Sequence, residues 1–208
     1  TVTVYRPPAD QGTDLPVIYA TDGNMFAPYA RRLDACIEAG TCPPVTVVAA
    51  HAAPADHRGN LRALEYLPGF DDRRFDAHQR FFVDELSAWA ETELGVPAER
   101  DRRVVFGCSD GGGHALATGM LHPERFGHVF GFSTGMPPDG NTRWDPTTHP
   151  TVHLCSGTLE DGFHQATQMW GFYLERLGAP HHITARVSGH DLIQWCEELP
   201  DAISRAFA

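Results

Sequence analysis

Short runs of apolar residues alternate along this chain with longer segments that show helical periodicity. Runs rich in Val, Ile and Phe, without regular polar alternation, are typical of strands buried on both faces of a sheet. The predicted strands are 1–7, 15–21, 45–51, 102–108, 128–134, 151–157 and 182–188. Because helical patterns lie between most of them, we predict an α/β fold: a mostly parallel sheet with helices on both faces.

Several segments carry apolar residues at the spacing of amphipathic helices. The predicted helices are 25–39, 72–94, 111–121, 163–177 and 197–207. The clearest is 72–94, whose predicted buried face holds Phe75, Phe82, Leu86 and Trp89. No repeat, linker or low-complexity stretch interrupts the pattern, so residues 1–208 are predicted to form one domain.

The composition of the chain narrows the classes of partner. Of the 208 residues, 42% are hydrophobic and 21% charged, which is ordinary for a globular protein. A net charge of −11 disfavours nucleic acid and anionic membrane surfaces as partners. No run reaches the roughly 18 apolar residues that span a bilayer. We therefore expect a monomer or homodimer acting on a small molecule, placed in the cytoplasm, with the periplasm or secretion as alternatives.

The cysteines and histidines do not form a metal-binding pattern. The five cysteines show neither a CxxC pair nor zinc-ligand spacing, and the twelve histidines include no HExxH motif. We therefore expect no metal. An odd number of cysteines argues against a complete disulfide framework, so buried free thiols are expected. A single disulfide bridge is the alternative for one pair, because Cys36 and Cys42 flank a short turn and could form a bridge in an oxidising compartment.

One serine lies between glycines, in the stretch Gly107-Cys108-Ser109-Asp110-Gly111. This stretch follows a predicted strand and precedes a predicted helix. A sharp strand-to-helix turn requires small residues two before and two after a nucleophilic serine, and the sequence provides both. The pattern therefore predicts that Ser109 is a nucleophile, with an ordinary serine in a glycine-rich turn as the alternative.

A serine hydroxyl is a weak nucleophile at neutral pH and needs a base and an acid to activate it. Where the nucleophile occupies such a turn, the acid and then the histidine follow later strands. His190 follows the last predicted strand and is the candidate base. Glu160 and Asp161 both follow the strand 151–157, and their spacing does not separate them. The alternative for this acidic pair is a structural one, because the helix dipole favours negative charge at the N-terminus of a helix.

Two backbone N–H groups are needed to hold a developing oxyanion. One should come from Asp110, directly after the serine. The other should come from the loop after the strand 15–21, where Gly23 permits a tight turn and Asn24 or Met25 could donate. A carboxylate next to an oxygen that becomes negative is unfavourable. We therefore predict a polar or basic partner for the side chain of Asp110.

Four stretches occur in an order that resembles a known family. They are "LPVIYATDGNMF", "EYLPGFDDRRFDAHQRFFVDELSAW", "DRRVVFGCSDGGGHAL" and "VSGHDLIQW". Together they resemble the esterase D and enterochelin (siderophore) esterase group of α/β-hydrolases over nearly the whole chain. The resemblance implies an α/β-hydrolase fold without a cofactor, with Ser109 as nucleophile and His190 as base. It also implies Glu160 as the acid and Asn24 as the amide donor.

Two features depart from the enterochelin esterases. Their substrate is a trianionic ferric catecholate, whereas this chain is acidic overall. Six arginines could offset that charge locally: Arg31, Arg32, Arg62, Arg73, Arg74 and Arg143. The cap segment 135–150 is short and the N-terminal strand region looks incomplete, so we expect a minimal cap and an open site. The predicted pocket residues are Met25, Phe26, Trp144, Phe163 and Trp195.

The leading function is that of a serine carboxylesterase acting on a siderophore or a small acyl ester through an acyl-enzyme. Acyl transfer to an alcohol, or thioester hydrolysis, is the alternative within the same fold. A catalytically silent binding protein is the alternative from another class, because a fold alone does not prove activity.

Overall fold

The computed structural model describes residues 1–7, 14–54 and 60–207. Its centre is a seven-stranded sheet with the strand order β1-β3-β2-β4-β5-β6-β7. The strands are β1 (Val2–Tyr5), β2 (Val17–Ala20), β3 (Thr46–Ala50), β4 (Arg103–Cys108), β5 (His128–Phe132), β6 (Thr151–Gly157) and β7 (His181–Arg186). Only the pairing of β1 with β3 is antiparallel in this sheet. The predicted α/β fold is therefore confirmed.

The helices agree with the predicted segments, with two main differences. They are α1 (Ala27–Glu38), α2 (Leu61–Tyr66), α3 (Asp72–Gln79), α4 (Leu86–Leu94), α5 (Asp110–Leu121), α6 (Asp161–Leu177) and α7 (Leu192–Phe207). Helix α2 was not predicted, because six residues are too few to show a helical period. Helix α7 begins five residues before its predicted start, because the Asp191 carboxylate accepts hydrogen bonds from the N–H groups of Ile193 and Gln194 and so caps the helix.

The long helical segment 72–94 is interrupted by a π-helical stretch, Arg80–Glu85, which joins α3 to α4. Phe82 and Leu86 are buried as predicted, but Trp89 is 40% exposed. A π-helical turn holds more residues than an α-helical one, so the buried stripe moves along the sequence. It continues to Ala90, which is fully buried. The prediction that Trp89 lies on the buried face is therefore wrong.

Helices cover both faces of the sheet. On one face, α1 and α7 pack through residues such as Leu33 and Ile203. On the other face, the π-helical stretch, α4, α5 and α6 pack through residues such as Phe82, Leu86, Leu116 and Leu174. The parallel strands therefore run with their carboxyl ends towards one edge, where the loops after β2, β4, β6 and β7 meet.

The five cysteines are buried free thiols, including Cys36 and Cys42, so the structure does not contain the bridge that their spacing had left open. Among residues 1–7, 14–54 and 60–207, no helix has both the length and the apolar character that crossing a membrane requires.

Two buried histidines lie side by side on β5 and β6. Burial, followed by neighbouring basic groups, lowers the pKa of His153 to about 3. Burial also lowers the pKa of His128 to about 4, although the charge of Asp101 opposes this shift. Their ring centroids are 5.7 Å apart. Neither ring nitrogen of His153 has a hydrogen-bond partner within the described part of the chain. Both side chains are therefore uncharged in the folded protein at neutral pH.

These histidines should make the fold sensitive to acid. An unfolded histidine takes up a proton near pH 6.5, whereas folded His153 does so only near pH 3. The unfolded state therefore binds more protons between these values, and stability falls as the pH falls from 6.5. His153→Phe should reduce the loss of unfolding free energy between pH 7.5 and 4.5 by about 2 kcal/mol, as measured by urea denaturation. The unfolding free energies at pH 7.5 show how far the substitution alters packing. If the variant lost as much unfolding free energy between pH 7.5 and 4.5 as the wild type, His153 would not be the source of the acid sensitivity.

Candidate active site

Ser109 lies at the sharp turn between β4 and α5. Its backbone has φ 60° and ψ −125°, a conformation that is strained for any residue other than glycine. Its N–H donates to the carbonyl of Phe132 at 2.9 Å. Its own carbonyl accepts from the N–H groups of Gly112 and Gly113 at 2.9 and 3.2 Å. These bonds hold the turn that presents the serine hydroxyl at the carboxyl edge of the sheet.

The glycines on either side of Ser109 are required by close packing. A Cβ atom on Gly107 would overlap the carbonyl group of Gly111. A Cβ atom on Gly111 would overlap the hydroxyl of Thr21, which directly follows the neighbouring strand β2. The spacing recognised in the sequence is therefore a steric condition for bringing β2, β4 and α5 together at this turn.

The structure brings Ser109, His190 and Glu160 into one hydrogen-bonded row. His190 Nε2 lies 3.0 Å from Ser109 Oγ, and His190 Nδ1 lies 2.5 Å from Glu160 Oε2. Glu160 follows β6, and His190 lies in the loop between β7 and α7. Glu160 is 6% exposed, whereas Asp161 is exposed in the first turn of α6. Of the two carboxylates that the spacing allowed, Glu160 is the one beside the histidine.

The second oxygen of Glu160, Oε1, is surrounded by donors. It accepts from the hydroxyl of Ser133 at 2.6 Å, from the N–H of Gly157 at 2.5 Å and from the side-chain amide of Gln194 at 3.0 Å. These bonds offset the cost of burying the carboxyl group. Sequence analysis missed both Ser133 and Gln194. Ser133 lies in a predicted strand without a motif, and Gln194 lies in the histidine stretch, where no residue spacing shows that its side chain reaches Glu160.

Two aromatic rings hold the imidazole of His190. The ring of Phe163 stacks on it with centroids 3.9 Å apart, and the ring of Trp195 meets it edge-on at 5.0 Å. The Trp195 indole N–H also donates to Ser133 Oγ at 2.8 Å. Phe163 and Trp195 were predicted to line a pocket, and the structure places both against the candidate base.

The predicted oxyanion donors are the backbone N–H groups of Asn24 and Asp110. Neither N–H has a protein acceptor among the described residues. The N–H of Met25 instead donates to the carbonyl of Asp22 at 2.8 Å. This bond closes a 3₁₀ turn over Gly23–Met25. The geometry therefore favours Asn24 over Met25 as the donor from this loop.

A family model named Esterase matches residues 1–206. The chain belongs to the Esterase family. It is therefore an enzyme that hydrolyses ester bonds, and the family resemblance inferred from the motifs is confirmed.

Solved structures confirm the α/β-hydrolase fold of the esterase. A ferulic acid esterase is 19% identical, with a TM-score of 0.80 over 99% of this chain and 92% of that one. The enterochelin esterase from Shigella flexneri is 22% identical, with a TM-score of 0.77 over 99% of this chain and 54% of that one. FphF, a fluorophosphonate-binding serine hydrolase from Staphylococcus aureus, is 14% identical, with a TM-score of 0.72 over 99% of this chain and 91% of that one.

The esterase thus spans about half the length of the enterochelin esterase and most of the ferulic acid esterase. No sequence match was found among curated proteins. Within the described residues, no group of three or more His, Cys, Asp or Glu side chains is arranged to hold a metal ion.

A cavity of about 620 Å³ lies over Ser109 in the esterase. Its apolar lining includes Met25, Phe26, Tyr29, Phe106, Leu192 and Trp195. Its polar lining includes Asn24, Asn60 and Arg62. Three of the predicted pocket residues, Met25, Phe26 and Trp195, therefore contribute to the cavity.

Trp144 does not belong to this cavity, so its prediction as a pocket residue is wrong. It is buried in the core on the other face of the sheet, 6.3 Å from the ring of Trp170 on α6. The cap segment 135–150 packs against α5 and α6: Arg143 N–H donates to Met120 Sδ, and the hydroxyl of Tyr173 donates to the carbonyl of Thr142. The segment therefore turns away from Ser109 and does not cover the site.

Arg62, on the unpredicted helix α2, provides the basic partner expected for Asp110. Its Nη1 donates to Asp110 Oδ2 at 2.6 Å. Its Nε and Nη2 donate to the two carboxylate oxygens of Asp22 at 2.6 and 2.8 Å. Of the arginines suggested to offset the charge of the chain, Arg62 is thus paired with two carboxylates, and Arg32 is paired with Glu197.

Proposed function

We propose that this esterase is a serine carboxylesterase that cleaves ester or lactone bonds through an acyl-enzyme. Ser109 is the nucleophile, His190 the base and Glu160 the acid, and the amides of Asn24 and Asp110 hold the oxyanion. One observation carries the proposal: the imidazole of His190 lies between Ser109 Oγ at 3.0 Å and Glu160 Oε2 at 2.5 Å.

In the first half of the reaction, His190 Nε2 accepts the proton of Ser109 as Oγ attacks the carbonyl carbon. The carbonyl electron pair moves to its oxygen, which the amides of Asn24 and Asp110 stabilise. Glu160 holds the imidazole in the required tautomer and stabilises the cation that forms. His190 then gives the proton to the departing alkoxide, and the alcohol leaves.

In the second half, water attacks the acyl-Ser109 ester while His190 removes its proton. The tetrahedral intermediate then collapses: the bond between the acyl carbon and Ser109 Oγ breaks, Oγ regains its proton from His190, and the carboxylic acid leaves. The side chain of His190 is 30% exposed, so water reaches the acyl-enzyme. This exposure supports hydrolysis over transfer to another alcohol or thiol, because transfer depends on excluding water.

The lining of the cavity supports a small, uncharged acyl ester as the substrate. Its apolar side chains suit a short aliphatic or aromatic acyl group. The guanidinium of Arg62 is already engaged by two carboxylates, which leaves it poorly suited to attract a trianionic siderophore. The enterochelin esterase and the ferulic acid esterase share the fold, and both ferric siderophores and aromatic esters belong in the substrate screen.

Labelling with a fluorophosphonate tests the proposed nucleophile directly. The folded protein should take up about one equivalent, and peptide mass spectrometry should place the adduct on Ser109, because only an activated serine reacts quickly. Protein unfolded in urea before labelling is the control and should remain unmodified. A folded protein without an adduct on Ser109 would overturn the proposal.

A further inference from the structure

One side chain joins the two loops that carry the proposed oxyanion donors. Arg62 binds both carboxylate oxygens of Asp22, which directly precedes the turn containing Asn24. The same guanidinium binds the carboxylate of Asp110, whose own N–H is the second donor, at 2.6 Å. It also donates to the carbonyl of Cys108 at 3.2 Å, directly before the nucleophile. The two loops are therefore tied to each other through a single group.

The guanidinium of Arg62 is itself held in place. It lies over the ring of Tyr66 at 5.1 Å from the centroid, and its side chain is 23% exposed. The hydroxyl of Tyr66 accepts from the N–H of Asp22 at 3.3 Å. Burial alone would lower the pKa of Arg62, but the hydrogen bonds and charge of Asp22 and the charge of Asp110 raise it above its usual value. The group therefore stays charged in this semi-enclosed position.

We propose that Arg62 is a positioning residue that fixes the distance between the amides of Asn24 and Asp110 and so completes the oxyanion site. The inference rests on the proposed function. Hydrogen bonds stabilise an oxyanion only when both donors lie within about 0.5 Å of the productive geometry. Arg62 acts through the two aspartates, since its Nε, Nη1 and Nη2 atoms donate to Asp22, Asp110 and the carbonyl of Cys108.

Replacing Arg62 with methionine should lower kcat for p-nitrophenyl acetate about 10- to 100-fold, because donors displaced by about 1 Å lose much of their effect. KM should change less than about threefold, since the substrate carbonyl is less dependent on these donors than the transition state. The rate of fluorophosphonate labelling should fall with kcat, because the phosphonyl oxygen uses the same donors.

The matched control is Arg74→Met. Arg74 also lies near two carboxylates, those of Glu65 and Asp71, and is 29% exposed, but within the described part of the chain it forms no ion pair or hydrogen bond with either loop of the site. Its kcat should stay within about twofold of the wild type. Arg62→Lys keeps the charge but loses the planar fork, so it should fold like the wild type and recover only part of the rate.

A triple variant tests whether Arg62 acts by positioning the two loops or only by neutralising the charge of the two aspartates. Arg62→Met combined with Asp22→Asn and Asp110→Asn removes the bridge and also leaves no unpaired carboxylate beside the oxyanion. It should be as slow as Arg62→Met alone. If the triple variant regains the wild-type kcat, Arg62 only neutralises charge and the positioning role is wrong.

The outcomes also separate this inference from the function on which it rests. If the wild type is labelled at Ser109 but Arg62→Met and Arg62→Lys keep the wild-type kcat, the positioning role fails and the proposed function stands. If Ser109 is not labelled at all, both fail. Thermal denaturation of each variant shows whether a lower kcat arises because part of the protein is unfolded. If Arg62→Met is unfolded in this way, the kcat of Arg62→Lys tests the positioning role.

Discussion

Replacing Ser109 with alanine is expected to lower kcat for p-nitrophenyl acetate by at least about 10⁴-fold. The alanine cannot form the acyl-enzyme, so only water attack assisted by His190 and the two amides remains. Steady-state kinetics should show this loss, and fluorophosphonate labelling should disappear with it. The melting temperature should stay close to that of the wild type, because Ser109 Oγ bonds only to His190 among the described residues.

His190→Ala, prepared in parallel, serves as the matched control for contaminating esterases. Both variants should fall to a similar residual rate, since the serine and its base act as a unit. Ser109→Ala that keeps more than about one-hundredth of the activity would exclude Ser109 as the nucleophile.

Glu160→Gln should lower kcat by about 10³- to 10⁴-fold while the fold is kept. Glu160 Oε2 lies 2.5 Å from His190 Nδ1. An amide NH₂ in that place would favour the tautomer of His190 that has its proton on Nε2, which cannot then accept the proton of Ser109. The lost charge would also leave the imidazolium without its partner. Steady-state kinetics of the purified variant measure the effect.

Asp161→Asn is the matched control, because the neighbouring carboxylate is exposed in the first turn of α6. It should change kcat by less than about twofold. The acid would be misassigned if Asp161→Asn cost more activity than Glu160→Gln. Circular dichroism and melting temperature separate this result from a loss of folded protein.

Most of the sheet could be predicted because its strands are buried on both faces, which leaves unbroken apolar runs in the sequence. Helix α2 was missed because its six residues make less than two turns. The misplaced side chain of Trp89 has a different origin, since a 3.6-residue period cannot anticipate a π-helical stretch. The early start of α7 depends on a cap by Asp191, which the apolar pattern alone does not reveal.

The candidate site could be predicted as far as chain order determines it. Ser109 and His190 could be predicted from their places after strands. Glu160 and Asp161 are adjacent in sequence, and only the path of the chain after β6 determines which of the two carboxylates faces His190. The donors on Ser133, Gly157 and Gln194 surround the buried carboxylate, and they come from three separate segments. Trp144 was misplaced because the segment 135–150 has no periodicity that shows which surface it covers.

The first turn of α7 joins catalysis to local stability. Gln194 bonds the carboxylate of Glu160, and Trp195 contacts the ring of His190, so neighbouring residues of one helix support two members of the proposed triad. The cap by Asp191 holds that turn at the end of the histidine loop. Gln194 and Trp195 are both buried, so this turn is packed into the core and not free at the surface. A substitution that loosens it would therefore disturb the acid and the base together.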